Sequence, residues 1–279
     1  MDFAGLTAVV TGAGSGVGRA LAVELIGRGA RVAASDLDAD GLDETARRCD
    51  AGEFRGYILD VADRGAVLQH AEDVRHDFGD VHLLINNAGV VLVATVEDMS
   101  WSDYDWLMGI NLDGVVNGTK AFLPHLVRSG NGHLVNVSSA FGFVGVPSMS
   151  AYNAAKFGVR GFTEALRQEM IMERRPVSVH CVHPGGMRTG IVAHARTGER
   201  VVDNRDRQRR DFARIAQTSP EGAARTILRG VARNRPRILV GPDAYLLDAL
   251  PRLLGARYQG LAARGARRFG RRFGLNPNL

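Results

Sequence analysis

The stretch from Val135 to Val159 reads VNVSSAFGFVGVPSMSAYNAAKFGV and holds a phenol and an ammonium at a spacing that can do chemistry. Tyr152 and Lys156 are four residues apart, with Ala154 and Ala155 between them. Alanine favours helix, so the pair is expected one turn apart on one helix face. A free phenol has a pKa of about 10, too high for a base near neutral pH. An ammonium ~5 Å away at an effective dielectric of ~20 favours the phenolate by roughly 3 kcal/mol, which is about two pKa units. Acid–base work is therefore expected from this pair only with a further cation beside it. On its own such a pair is an ordinary pair of helix neighbours. Composition argues for more: Lys120 and Lys156 are the two lysines among 35 basic residues. Lysine is a compact point charge and arginine a planar fork, so the two are not interchangeable beside a phenol.

The elements around the pair follow from pattern. His133 to Val137 reads as a buried strand that closes on Ser138 and Ser139, which puts a hydroxyl at a strand end just before the Tyr152 helix. Upstream, the short run Leu6 to Val10 meets TGAGSGVG, Thr11 to Gly18, and then an amphipathic helix, Arg19 to Arg28. Strand, glycine-rich turn and helix form the context in which such a turn cradles a phosphate. Gly12, Gly16 and Gly18 would allow the tight turn, the close approach and the close packing, and the helix N-terminus would face a pyrophosphate. The competing reading is a glycine turn without a ligand. The strand Arg31 to Ser35 ends at Asp36, about 20 positions after the glycines, where a carboxylate accepts from a ribose 2′-hydroxyl and repels a 2′-phosphate. Neither Ser15 nor Leu37 supplies the positive charge a 2′-phosphate wants, which favours NAD over NADP. Against this, Asp36 could simply cap the helix Ala39 to Arg48.

Further strands are expected at Tyr57 to Leu59, ending on Asp60 and Val61, at Val81 to Ile85, at Val177 to Val182 and at Arg237 to Val240. Helices are expected at Asp63 to Phe78, Ser102 to Arg128, around Tyr152 to about Glu173, and Pro220 to Arg233. Apolar strands alternating with helices predict an α/β fold, a doubly wound parallel sheet with helices on both faces. Ligands of such sheets lie at strand C-terminal ends, where Asp36, Asp60, Asn87 and Ser139 fall. Asn111 is a poor helix former in the middle of a helix, so it caps a kink or faces something polar. Gly190 to Thr218 is polar, carries both charge signs and follows a strand end, which suits a lid over a site.

A chain of 279 residues suits one large α/β domain. Cys49 and Cys181 stand far apart in no metal-like spacing, so no metal site is expected, and two lone cysteines suit a reducing compartment. No leader and no run of ~18 apolar residues is visible, so a cytoplasmic protein is expected. The formal net charge is +5, and the basic excess is at one end: no acid follows Asp248, while Arg252, Arg257, Arg264, Arg267, Arg268, Arg271 and Arg272 do. With no recognition motif in the body, nucleic acid is not an expected partner.

Together these residues resemble the short-chain dehydrogenase/reductase family, NAD(P)-dependent oxidoreductases with a single Rossmann-like domain. The likeness runs from about residue 5 to 241. It rests on the loop Thr11 to Gly18, on Asn86-Asn87-Ala88-Gly89, on Asn111, on Ser139 with Tyr152-x-x-x-Lys156, and on Pro184-Gly185 through Thr189. The resemblance implies Tyr152 as general acid/base and Lys156 as the residue that lowers its pKa and binds nicotinamide ribose. It implies that Ser139 hydrogen-bonds the substrate oxygen and Asn111 holds a water linking Lys156 to solvent. It further implies cofactor contacts from Gly12, Ser15, Gly16, Val17, Gly18, Asp36, Leu37, Asp60, Val61, Asn87, Ala88, Gly89, Pro184, Gly185 and Thr189, and a homo-oligomer, dimer or tetramer. On this reading residues 1–241 form the dinucleotide-binding and catalytic domain, with 190–218 as substrate lid. Residues 242–279 form a basic helical C-terminal extension that many members lack.

Phe141, Phe143, Val144, Val146 and Met149 precede Tyr152, and Val90 to Val93 follow the asparagine pair. Both segments are expected to border the substrate, which points to a hydrophobic secondary alcohol or ketone of steroid, terpenoid or fatty type; packing against the sheet is the equal alternative. In the extension Tyr258, Leu261, Phe269 and Phe273 alternate with arginines at helical spacing, so peripheral membrane contact is one possible role. The alternatives to an NAD-dependent dehydrogenase are an NADP-dependent carbonyl reductase of the same family and a non-catalytic NAD-sensing or scaffold protein.

Overall fold

The computed structural model describes residues 2–49, 52–188, 190–192, 195–198 and 217–273. Seven strands form one wholly parallel sheet: β1 (Thr7–Thr11), β2 (Arg31–Asp36), β3 (Phe54–Ile58), β4 (Leu83–Asn86), β6 (Gly132–Val137), β7 (Val177–Pro184) and β9 (Arg237–Val240). Their order across the sheet is β3-β2-β1-β4-β6-β7-β9. The order reverses at β1, and β4 pairs in register with β6 from Leu83 opposite His133 to Asn86 opposite Asn136.

Successive strand residues face opposite sides. Ala8, Val10, Leu83, Ile85 and Val135 bury against helix α1 (Gly16–Gly27) and helix α7 (Pro220–Ala232). Val9, Leu84 and Leu134 bury against α3 (Arg64–Phe78), α5 (Gly114–Arg128) and α6 (Ser150–Met172). This two-sided burial is why the strands read as unbroken apolar runs. The helices start where the sequence offers caps. Asp38 accepts from Gly41 N ahead of α2 (Ala39–Arg48), Asp63 from Ala66 N, Ser100 from Asp103 N ahead of α4 (Trp101–Met108), and Ser219 from Gly222 N.

One expectation changes, and two segments gain detail. The helix expected over 102–128 is α4 and α5 joined by a π turn, Gly109–Asp113, centred on Asn111. The segment after Gly89 contains a short strand, β5 (Leu92–Val93), paired in parallel with β8 (Arg196–Thr197). Of the expected lid, residues 193–194 and 199–216 lie outside the described residues; 195–198 run beside β5, with Arg196 3.9 Å from the Trp106 ring centroid and ion-paired to Asp103 at 3.0 Å. The C-terminal extension comprises α8 (Pro242–Leu254) and α9 (Tyr258–Phe273). The side chains of Phe269 and Phe273 lie outside the described residues. Among the described residues no helix is long and apolar enough to cross a membrane. Cys49 and Cys181 are buried and form no disulfide.

Five histidines are buried: His70, His125, His133, His180 and His183. His180 Nδ1–H donates to the Arg235 carbonyl at 2.7 Å, which leaves its Nε2 lone pair to accept from His133 Nδ1 at 3.0 Å. His70 Nε2 and His183 Nε2 have no protein partner. Burial pushes His70, His133, His180 and His183 from 6.5 down to about 4, and it lowers His125 as well. Above pH 6.5 they are neutral in both folded and unfolded chains. Between 6.5 and about 4 the unfolded chain takes up protons that the folded one refuses, so stability falls as pH falls and the loss levels off below about 4. One pKa unit on one group corresponds to about 1.4 kcal/mol, and the coupling between His133 and His180 makes the total differ from the sum over the groups. Urea midpoints at pH 7, 5.5 and 4.5 measure it; an unchanged midpoint from pH 7 to 5 contradicts this account.

Candidate active site

The site is built at the C-terminal ends of β1, β4 and β6. Ser138 and Ser139 follow β6 directly, and the structure gives them different work. Ser138 Oγ donates to the Lys156 carbonyl at 2.8 Å and ties the strand end to α6. Ser139 Oγ accepts from Phe141 N at 3.1 Å, which leaves its own hydroxyl hydrogen free for another acceptor. That acceptor is the Tyr152 oxygen: the Ser139 hydrogen bond works to lower the phenol pKa. Lys156 projects from the next turn of α6, with Nζ 5.8 Å from the Tyr152 ring centroid and 3.0 Å from the Val137 carbonyl. The structure thus brings Ser139, Tyr152 and Lys156 together.

Electrostatics decide what this trio can do. Burial raises the Tyr152 phenol above 10, and the Ser139 hydrogen bond opposes that without reversing it. Burial also lowers Lys156 to about 8, opposed by Cys181. Both shifts have one cause, the penalty on charge in a place with little water. The lysine alone therefore does not give the two-unit drop that simple Coulomb arithmetic predicts; a further positive charge is required for a phenolate near neutral pH.

Asn111 is fully buried, and both of its amide groups bond the Val90 backbone. Oδ1 accepts from Val90 N and Nδ2 donates to Val90 O, each at 2.8 Å. The side chain staples the segment after Gly89 to the π turn, a helix irregularity that recurs at functional sites. A Cβ on Gly89 would come within 3.5 Å of Lys156 Nζ and 3.2 Å of Asn111 Oδ1, so the bare glycine lets these groups converge.

The nucleotide side is a cradle of backbone. Gly12 and Gly16 have φ of +68° and +52°, a region that favours glycine. A Cβ on Gly18 would overlap the Gly12 carbonyl. Ser15 stands at the N-cap of α1 in extended conformation, and Val17 is buried beneath the turn. Asn87 Nδ2 donates to the Thr11 carbonyl at 2.9 Å, while Thr11 Oγ1 accepts from both Asn87 N and Ala88 N at 3.0 Å. The β4 loop is thereby locked to the glycine loop. Asp36 Oδ2 accepts from Gly14 N at 2.8 Å and Oδ1 from Asp38 N at 3.1 Å. A side chain on Gly14 would crowd that carboxylate. Leu37 is exposed, Asp60 holds Ala62 N at 2.9 Å, and Val61 is buried with its carbonyl accepting from Asn117. The glycine cradle and the carboxylate beside it fit a dinucleotide. Pro184 ends β7, and Gly185 and Gly186 turn beside the Asp243 carboxylate, which accepts from Gly186 N at 2.5 Å. Thr189 lies outside the described residues. Among those residues no group of three or more His, Cys, Asp or Glu could hold a metal ion.

Two lining residues are corrected. Phe143 and Val144 are buried in a cluster with Tyr258, Leu247, Leu250 and Leu254 of the extension. Phe143 also stacks on His183 at 4.1 Å. They are core to the extension and do not border substrate. Phe141, Val146, Met149, Val90 and Val93 remain half-buried; Val90 packs in the cluster that holds Tyr152, and Phe141 meets the Tyr152 ring edge-on at 6.4 Å. Sequence reasoning missed Asn153, whose amide accepts from Val146 N and donates to the Phe141 and Val144 carbonyls at 2.8–3.0 Å, holding the loop before Tyr152. It gave no role to Arg19 or Asp243, and it set Tyr258 on an interfacial helix face, whereas Tyr258 is buried against Phe143 and Val144. Arg19 donates to the Gly14 carbonyl, to Gly41 O at 3.2 Å and to Thr45 Oγ1 at 3.0 Å, bracing the glycine loop from α1. An asparagine in a first helical turn and an arginine straight after the glycines were the available signals.

Residues 6–200 match the short chain dehydrogenase family. The chain belongs to the short-chain dehydrogenase family. It is therefore an oxidoreductase, an NAD(P)-dependent dehydrogenase/reductase. SadH of Mycobacterium tuberculosis is 50% identical over 275 residues, 96% of this chain and 98% of that protein. A short chain dehydrogenase/reductase from Burkholderia phymatum in complex with NAD superposes with a TM-score of 0.83 at 30% identity, over 91% of this chain and 95% of that one. A metagenomic short-chain oxidoreductase in complex with NADP superposes at 0.70 and 26% identity, over 86% and 98% of the two chains.

The nucleotide cradle of this dehydrogenase carries a direct prediction. Gly18→Ala places a methyl on the Gly12 carbonyl and should weaken NADH binding at least tenfold, about 1.4 kcal/mol, measured by titration of nicotinamide fluorescence.

Proposed function

We propose that this protein interconverts a hydrophobic secondary alcohol and its ketone with NAD as the hydride carrier. The observation that carries the reading is the convergence of the Ser139 hydroxyl, the Tyr152 phenol and the Lys156 ammonium at the end of β6. The bound nicotinamide supplies hydride chemistry and, when oxidised, positive charge. The remaining steps belong to the chain. With substrate bound, the Ser139 hydroxyl hydrogen turns from Tyr152 to the substrate oxygen, while Phe141 N keeps Ser139 Oγ oriented. Tyr152 takes the alcohol proton in oxidation and returns it in reduction. Lys156, held by Val137 O, keeps positive charge near the phenol and reaches ribose hydroxyls. Asn111 fixes the turn through which Lys156 communicates with solvent. Gly12, Ser15, Gly16, Val17 and Gly18 form the pyrophosphate cradle, Asp60, Val61, Asn87, Ala88 and Gly89 the adenosine side, and Pro184, Gly185 and Thr189 the carboxamide contacts.

The choice of NAD rests on Asp36, which stands fixed at the end of β2 with the uncharged Leu37 after it. A 2′-phosphate there meets a carboxylate and no cation. The substrate class rests on Val90, Val93, Phe141, Val146 and Met149, which bring no charge to the space beside the phenol. Residues 1–241 act as the catalytic unit, with 190–218 over the substrate side. The buried thiols suit a cytoplasmic setting, and a dimer or tetramer is the assembly the family implies.

The exposed face of α8 favours a further contact, an anionic lipid surface. Tyr245, Leu246 and Leu253 share that face and are 58%, 65% and 82% exposed, with Arg252, Arg257 and Arg264 exposed nearby. Apolar side chains flanked by arginine are the pattern of an interfacial helix.

Two measurements test these readings. Steroid, terpenoid and long-chain secondary alcohols assayed with NAD and with NADP should give turnover that favours NAD, and Tyr152→Phe should lower it at least about 10³-fold, the scale of a lost general acid/base, with NADH binding intact. Turnover of sugars or hydroxy acids alone sinks the substrate class, and full activity in Tyr152→Phe sinks the mechanism. On liposomes containing anionic lipid, the full chain should co-sediment and Leu246→Asp/Leu253→Asp should not; equal sedimentation of both removes the membrane reading.

A further inference from the structure

We propose that the C-terminal extension is a brace for the reaction centre, with Tyr258 and Asp243 as positioning residues for the two walls between which substrate and nicotinamide meet. The proposal rests on reading Ser139, Tyr152 and the 184–186 turn as that centre.

The first wall is the loop from Ala140 to Met149. Its inner side is held by Asn153 through Val146 N, Phe141 O and Val144 O. Gly145 N is left over, and it donates to the Tyr258 hydroxyl at 3.1 Å. Tyr258 is 8% exposed and packs with Phe143 and Val144. Around it Leu247, Leu250, Leu254 and Ala262 of the extension pack against the same Phe143–Val144–Tyr258 core that Phe141 and Val146 pack against. Phe141 in turn meets the Tyr152 ring. The catalytic phenol thus leans on a loop whose outer face is built by residues beyond 241.

The second wall is the turn after β7. Gly186 N donates to Asp243 Oδ2, and Gly185 leaves no room for a side chain beside the same carboxylate. Gly241, at φ +92°, sits against Asp243 and Thr218, and Thr218 pairs with Met187 and accepts from Arg188 N at 2.9 Å. One carboxylate in the first turn of α8 therefore fixes the backbone that leads to Thr189. Asp243 and Tyr258 lie at opposite ends of α8 and the short turn Gly255–Arg257, so one unit holds both walls at once. An enzyme that had to pack an unrelated surface feature would gain nothing from placing its only buried extension phenol on a loop amide. Placing it there fixes the distance between Phe141 and the nicotinamide turn.

The test uses the full chain and does not need the substrate. Amide hydrogen exchange and NADH fluorescence titration are measured on the wild type, Tyr258→Phe, Asp243→Ala and Asp243→Asn, with thermal unfolding as a fold control. Tyr258→Phe removes one hydroxyl and should speed exchange of amides 140–149 about fivefold or more, the worth of a single hydrogen bond, while the amides of β1 and β4 stay as slow as before. Asp243→Ala should speed exchange at 185–188 and weaken NADH binding about fivefold; Asp243→Asn keeps an acceptor oxygen and should restore both to within about twofold of wild type. Unchanged exchange at 140–149 in Tyr258→Phe, or uniform loosening of the whole sheet in either variant, overturns the brace. Failure of the wild type to bind NADH would instead strike the dehydrogenase reading and leave the exchange result to judge the brace.

Discussion

The structure turns on the cost of burying charge at the end of β6. Tyr152 and Lys156 share one poorly hydrated place, and that place opposes the charged form of each: the phenol is driven up and the ammonium down to about 8. A Coulomb attraction worth roughly 3 kcal/mol between the two is outweighed by desolvation on the phenol. The pair is therefore not a standing base. It is an arrangement in which proton affinity is set by whatever additional charge enters. This explains why the supporting groups are neutral dipoles: the Val137 carbonyl on Lys156, the Ser139 hydroxyl on Tyr152, and the Val90 peptide on Asn111. A fixed carboxylate in this position would have held Lys156 charged at all times and fixed the phenol's acidity once and for all.

The same economy of charge shapes the nucleotide side. Asp36 spends both carboxylate oxygens on backbone N–H groups, from Gly14 and Asp38, and among the described residues no neutralising cation pairs with it. Its direction is set by the strand end and by the missing side chain at Gly14, so it remains a negative group presented on a rigid edge. Arg19 could have been that neutralising cation. It is turned instead onto the carbonyls of Gly14 and Gly41 and onto Thr45, where it stiffens the loop.

What was legible in the sequence was local or periodic. The helix Ala39–Arg48 and the strand Arg237–Val240 fall where pattern put them, because a capping aspartate and a β-branched run bound them. The glycine loop reads correctly because its requirement is steric and belongs to the backbone. The Tyr152–Lys156 pair reads correctly because one helical turn fixes its geometry. What was hidden was pairwise and distant. Asn111 announced a disturbance but not its partner, since Val90 lies 21 residues away in the chain. Phe143 and Val144 read as substrate lining because they are apolar and close in sequence to Tyr152; only the fold reveals that helices about 100 residues later cover them.

That last error is instructive about specificity. An apolar loop beside a catalytic group has two possible partners, a ligand or another part of the chain, and hydrophobicity cannot tell them apart, because burial of the same area is worth the same in either place. Here the loop divides the two. Phe143 and Val144 bury against Tyr258 with the α8 leucines packed beside them, whereas Phe141, Val146 and Met149 are left half-buried, Phe141 edge-on to the Tyr152 ring. Asn153 makes the division possible, since by holding three backbone groups of the loop it fixes which side chains face which way. The apolar side chains left half-buried on this loop are therefore fewer than the sequence offered, and the loop that carries them is held by polar contacts to its backbone.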